Sequence, residues 1–350
     1  MSIWQAFFTP RSSVETEKSR KHRFVRLFFL LLTATLLCAV AALLVGSVKI
    51  DPWAALQAAL AGDLQSTDLR ILLYLRLPRV LAALLAGSAL AVSGVLIQAV
   101  LNNPMAAPNV IGVNAGAGFF AILLVALLPS AVGFLPLAAF GGALCAGLLI
   151  YLVALRSGAG KTTVILVGMA VSSVLSAGIS TVKLLFPDAA YDATLFQIGG
   201  LSGVRGDSLT PAWILILLGI LAAWLLASRL DLLSLGTEAA HGLGLTVGVT
   251  RFLMLMLASL LAGSAVSFAG LLGFVGLLVP HIARRAVGNL HRRLIPVSAL
   301  GGALLVLVGD LLARTLFSPY ELPVGILLAF LGGPFFLALI LLQRRRAFYD

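Results

Sequence analysis

Charge is what this sequence has least of. Asp, Glu, Lys and Arg together make up 11% of its 350 residues, where a water-soluble domain carries roughly 25%. With 61% hydrophobic residues and a mean hydropathy of +1.10, the chain cannot keep its apolar surface dry in water. A soluble globular fold is excluded, and the solvent is lipid. Cysteine is almost missing. Cys38 and Cys145 both sit in apolar runs and are expected to be small buried hydrophobes, with no disulfide framework available. The four histidines, His22, His241, His281 and His291, are scattered, with no HExxH pattern and no paired carboxylates. Each is expected in a loop or interface, and no catalytic residue or metal ligand set is assigned. Polar alternation is lacking too: a run such as 211–226 is apolar on every face. A membrane-spanning barrel would alternate, so helices are the solution that satisfies the backbone in hydrocarbon.

Apolar runs separated by charged or Pro/Gly breaks predict an all-α polytopic membrane protein of about ten helices. The spans fall near 24–46, 78–101, 111–128, 133–155, 163–186, 211–227, 249–270, 272–288, 294–313 and 322–342. The third and eighth are the weakest, being Gly-rich and interrupted. The head at 1–23 reads as a cytoplasmic tail with an amphipathic start (Ile3, Trp4, Phe7, Phe8) resting on membrane lipid. No cleavable signal precedes the first span. The membrane-spanning body is 24–346, followed by a short tail at 347–350. Placing both termini in the cytoplasm puts 17 of the 24 Lys and Arg residues inside, as the positive-inside rule requires. The net charge of +11 therefore belongs to that face and to lipid headgroups, and no soluble basic module exists to bind nucleic acid.

Residues 84–104 and 260–280 match at 10 of 21 positions, including Gly87/Gly263, Gly94/Gly270 and Pro104/Pro280. They form the second and seventh spans, so the two copies run in opposite directions. Inverted repeats with Gly/Pro-interrupted helices line the pathway in transporters; close packing at small residues is the competing reading. The expected pathway residues are Gly87, Gly94, Gln98, Asn103, Pro104, Gly263, Gly270, Gly273, Pro280 and His281.

The turn Gly158-Ala-Gly-Lys-Thr-Thr163 resembles a phosphate loop only superficially. Leu155 stands where its first glycine belongs, and a membrane helix precedes it. No ATP site is expected in this chain. Asp310, beside Arg314 near an outer helix end, is the one candidate intramembrane carboxylate, which weakens an ion-coupled secondary transporter. Energy then comes from a partner. The longest inner loop, 228–248, stays apolar in the cytosol and reads as two short amphipathic pieces broken at Gly236, a segment able to enter a groove on another protein.

Several segments resemble the FecCD-type ABC permeases, in order from about residue 50 to residue 340. They include Arg76-Leu-Pro-Arg79, Gly94-Val-Leu-Ile-Gln98, Asn103-Pro-Met-Ala-Ala-Pro108 and Gly112-Val-Asn-Ala-Gly116. Gly273-Phe-Val-Gly-Leu-Leu-Val-Pro-His-Ile-Ala-Arg284, Asp310-Leu-Leu-Ala-Arg314 and Glu321-Leu-Pro-Val-Gly325 continue the likeness. Met105 stands where the family usually has Leu, and Gly309 where it often has Ala. The resemblance implies a type II ABC importer permease fold in a bacterial inner membrane. It implies import of an iron(III)–siderophore or related chelate, with haem and cobalamin as alternatives. Two permease subunits, identical or paralogous, would share one pathway. Two ATPases would hold ATP and Mg, no cofactor being bound by this chain, and a periplasmic or lipid-anchored substrate-binding protein would dock outside. On that resemblance Leu235, Gly236, Glu238, Ala239, Ala240, Leu243 and Gly244 form the ATPase coupling contact, while Arg76, Arg79 and Arg314 pair with carboxylates of the binding protein.

Overall fold

A computed structural model of the chain describes residues 17–346 apart from 47, 64, 109–111, 157–160, 211 and 319. The amphipathic start, the glycines of the false phosphate loop and the tail at 347–350 lie outside the described residues. The described chain is helical throughout. α1 (Glu17–Leu44) is followed by α2 (Pro52–Ala61), and α3 (Thr67–Leu101) carries a π-helical segment at Ile71–Arg76. Next come α4 (Val113–Leu127), a 3₁₀ turn at Pro129–Phe134, α5 (Leu135–Arg156), α6 (Lys161–Leu185) and α7 (Pro187–Ile198). The second half holds α8 (Ala212–Leu225), α9 (Ala227–Ser234), α10 (Thr237–Gly242), α11 (Val247–Ala269), α12 (Val275–Val287), α13 (His291–Thr315) and α14 (Val324–Arg346).

By length and composition α1, α3, α5, α6, α11 and α13 can each cross a membrane. The predicted span 211–227 corresponds to α8, and the first short piece predicted for the loop 228–248 corresponds to α9, the two helices meeting at 55°. The weak spans proved short: α4 has 15 residues and α12 has 13, below the roughly 20 needed to span alone. Residues 17–23 of the expected tail are helical and continuous with the first span in α1.

Two helices escaped the hydropathy reading because they lie between spans. α2 is built by local signals. Asp51 caps it by accepting from the Trp53 and Ala54 N–H groups, Pro52 opens its first turn, and Gly62 ends it in the left-handed region. α7 likewise opens on Pro187 and closes at Gly199.

α3 is the axis of the bundle. In its apolar window 78% of residues are buried, against α13, α11 and α12. By contrast α1 and α6 are 11% and 17% buried and present their flanks to lipid. The expectation of buried cysteines is corrected: Cys145 on α5 is exposed and Cys38 on α1 half-buried, because an apolar side chain in lipid gains nothing from facing the protein interior.

Candidate functional site

At one end of the bundle five charged side chains converge. Arg79 Nε donates to both oxygens of Asp310 at 3.0 Å, and its Nη1 donates to Glu321 at 2.7 Å. Arg314 Nε lies 3.8 Å from the same Asp310, which is 2% exposed. Arg314 also donates to the Ala42 carbonyl, while Arg76 donates to the carbonyls of Leu43, Leu44 and Val48. The last carbonyls of a helix have no partner within it and attract cations. Arg76 and Arg314 therefore cap the end of α1 and fasten it to α3 and α13. Arg76, Arg79 and Arg314, expected to pair with carboxylates of a binding protein, are thus already engaged within the chain. Arg76 is 5% exposed and Arg314 2%, because burying a guanidinium in this apolar bundle requires partners inside the chain.

The expected pathway glycines sit at helix crossings. A Cβ at Gly87 would strike the Gly302 carbonyl, and one at Gly94 would strike the Gly276 carbonyl. A Cβ at Gly263 would lie 2.8 Å from the Ala143 Cβ. These three positions let α3 approach α13 and α12, and α11 approach α5, which is the close-packing reading of small residues. Gln98 is buried beside the second crossing. Its Nε2 lies 3.4 Å from the Gly276 carbonyl, and its Oε1 accepts from Arg284 Nε at 3.4 Å. Asn103 shapes the turn after α3, its Oδ1 accepting from the Met105 N–H at 2.9 Å, with Pro104 exposed beside it. Pro280 is buried within α12, where the half-buried His281 keeps its Nε2 in the protein without a hydrogen bond.

The two repeat copies differ in conformation. Gly94 is helical, whereas Gly270 ends α11 at φ +66°, a region that admits glycine at no steric cost. Pro104 follows a helix and Pro280 lies inside one. Between α11 and α12 the chain is irregular through Gly273, and Phe274 takes φ +64°, unusual for an aromatic residue. Its ring lies over Gly332 of α14, where a Cβ would collide with it. The break is secured by main chain. Gly200 N–H donates to the Ala269 carbonyl at 2.9 Å, Leu271 N–H to Phe196 at 3.0 Å, and Gly325 N–H to Gly199 at 3.1 Å. The ends of α7, α11 and α14 thus satisfy one another, the condition under which irregular backbone survives at membrane depth.

At the opposite end lies the elbow α8–α9–α10. Gly236, at φ +106°, separates α9 from α10, at the predicted break. Leu235 and Leu243 are each 61% exposed, and Glu238, Ala239 and Gly244 are exposed with them. Ala240 faces inward and is fully buried, which corrects its assignment as a contact: with Leu245 it anchors the loop. The elbow is fastened to the start of α13. Asp231 Oδ1 meets His291 Nδ1 at 2.6 Å and accepts from the His291 N–H at 2.9 Å. Trp224 Nε1 donates to the Arg292 carbonyl at 3.2 Å, with the Arg292 guanidinium 5.8 Å from the Trp224 ring. Arg251 donates to Thr237 Oγ1 at 2.8 Å and ties α10 to α11. Sequence reasoning missed the Asp231–His291 pair. Its signal was a carboxylate in an apolar loop and a histidine opening a helix, 60 residues apart.

The sequence model of the FecCD transport family matches residues 3–342. The Fe(3+)-citrate import system permease protein YfmE of Bacillus subtilis is 37% identical over 332 residues, covering 94% of this chain and 98% of that protein. The hemin transport system permease protein HmuU of Yersinia pestis is 39% identical over 282 residues, covering 79% of this chain and 84% of that protein. Among solved structures, a metal-chelate type ABC transporter in an inward-facing conformation superposes with a TM-score of 0.79 at 29% identity. That match covers 91% of this chain and 99% of the other.

Proposed function

The chain belongs to the FecCD transport family, and from that premise we propose that it is the permease subunit of an ABC importer for an iron(III)–siderophore or related metal chelate. It is a multi-pass membrane protein, and the basic end that carries the elbow is its cytoplasmic side, with both termini there. The carrying observation is the elbow itself. Leu235 and Leu243 stand exposed around Glu238 on a short helix whose base is anchored by Ala240 and Leu245. Exposed leucines on a rigid cytosolic knob suit a groove on an ATPase subunit. Two such ATPases hold ATP and Mg, a second permease subunit completes the pathway, and an external binding protein delivers cargo. ATPase closure pushes α10, the Asp231–His291 and Trp224–Arg292 contacts carry the push to α13, and α13 carries it to the charged end. There the carboxylates of a docking protein compete with Glu321 for Arg79, since Glu321 is the most exposed member of the network at 27%.

The chain makes no ion-coupled site of Asp310, whose charge is held between Arg79 and Arg314. A ferric chelate is favoured as cargo by the YfmE match over nearly the whole chain, and haem is the second reading on the strength of HmuU.

Copurification tests the proposal. The tagged chain is extracted from native membranes of iron-starved cells, and stoichiometric partners are identified by mass spectrometry. The wild type retains a nucleotide-binding ATPase subunit, and the pair Glu238→Arg with Leu243→Asp loses it. A wild-type chain that comes out without an ATPase, or a variant that keeps it at full stoichiometry, overturns the assignment.

A further inference from the structure

Beside the start of α1 lies a cavity of about 600 Å³ lined by His22, Arg23, Arg26, Leu27 and Leu30, with Ala286 of α12 as its far wall. We infer that it binds the phosphate headgroup of an anionic phospholipid.

Three observations carry this. First, the lining is graded along the helix axis. The basic residues occupy the first turns, and Leu30 lies about 6 Å beyond Arg26 at 1.5 Å of rise per residue. A phospholipid has the same order, an anionic phosphodiester followed by glycerol and acyl chain. A free inorganic anion would use only the upper half of the cavity and leave the Leu27–Leu30 floor unfilled.

Second, the cavity opens to lipid rather than to a protein core. Val25 is 41% exposed, Phe29 59% and Leu30 64%, so the acyl chains of a bound lipid continue directly into the bilayer.

Third, the titratable groups that line the cavity are all basic. Among the described side chains no carboxylate lines the cavity. Basic clefts between helices at the membrane surface recognise anionic headgroups, each nearby Lys or Arg strengthening binding severalfold. A lipid seated here bridges α1 to α12, two helices that make little direct contact otherwise. The inference needs only that the chain lies in a membrane and is independent of cargo and ATPase.

The test uses the full-length chain in detergent, with lipids added back and read by native mass spectrometry. Dioleoyl phosphatidylglycerol is titrated against dioleoyl phosphatidylcholine. The expected result is one phosphatidylglycerol retained at least tenfold more tightly than the choline lipid. The pair Arg23→Gln with Arg26→Gln reduces that retention about tenfold or more, while Arg23→Lys with Arg26→Lys keeps most of it. Ala286→Phe, which fills the cavity without altering charge, also removes it. Equal retention of the two lipids, a double Gln variant that binds like wild type, or full displacement by excess inorganic phosphate each overturns the inference.

Discussion

Replacing Asp310 with Asn tests whether the charged end of the bundle is a closed electrostatic unit. The carboxylate is 2% exposed and stands between Arg79, 3.0 Å away, and Arg314, 3.8 Å away. Asparagine keeps the volume and removes the charge. Arg79 retains Glu321 at 2.7 Å, so the uncompensated cation is Arg314, which is left with the Ala42 carbonyl. Breaking a buried pair by removing one partner costs about 3–5 kcal/mol. The remaining partner of Arg79 places this site at the lower end, about 3 kcal/mol, or roughly a hundredfold in the unfolding equilibrium. The assay is unfolding of the purified chain in mixed micelles by increasing dodecyl sulfate, followed by circular dichroism. Glu321→Gln, removing a partly exposed pair, shifts the same equilibrium by no more than about 1 kcal/mol. Asp310→Leu combined with Arg79→Met and Arg314→Met removes the three most buried charges of the cluster together, leaving the partly exposed Glu321, and recovers at least half of the loss, because apolar replacement of buried ionic groups is often neutral. A stability for Asp310→Asn within about 1 kcal/mol of wild type, or no recovery in the triple variant, refutes the reasoning.

Further outcomes follow from the packing and from the elbow. Gly94→Ala places a methyl group against the Gly276 carbonyl and costs about 1–3 kcal/mol in the same unfolding assay through overpacking. Gly248→Ala, with nothing within 4 Å of the new atom, leaves stability unchanged or slightly raised, and equal effects at the two sites contradict the crossing geometry. Asp231→Asn removes the charge from the His291 contact at 2.6 Å, so amide hydrogen exchange across 227–242 accelerates about tenfold while α3 keeps its protection. Unchanged exchange in the elbow removes the fastening from the mechanism.

Much of the fold was legible because lipid enforces a simple code. The order of the long helices follows from where apolar runs meet charge, and Gly236 marked the break in the elbow by its identity alone. Elements that hydropathy does not encode were hidden. α2 and α7 arise from capping and proline signals in short stretches between spans. The end of α8 was legible, since the apolar run stops at Ser228-Arg229, but the 55° angle at which α9 leaves it was not. The internal partners of the three arginines were not legible, because spacing shows position along a helix, not what fills the space around it. Arg76 and Arg314 reach backbone carbonyls between residues 42 and 48, and Arg79 reaches carboxylates more than 200 positions away. The repeat glycines announced close approach correctly, yet sequence alone did not say whether the approaching surface was cargo or another helix.

α13 is anchored at both extremities, to Asp231 and Trp224 at its start and to Arg79 and the α1 carbonyls at its finish. Its 25 residues make a beam about 37 Å long. Tilting such a beam by about 5° around its midpoint swings its tips by about 1.6 Å in opposite senses at that length. That travel is sufficient to break or remake a hydrogen bond at either tip. A seesaw of this kind cannot lower one side without raising the other. Opening at one membrane surface and closure at the other then become a single movement, enforced by the stiffness of one helix.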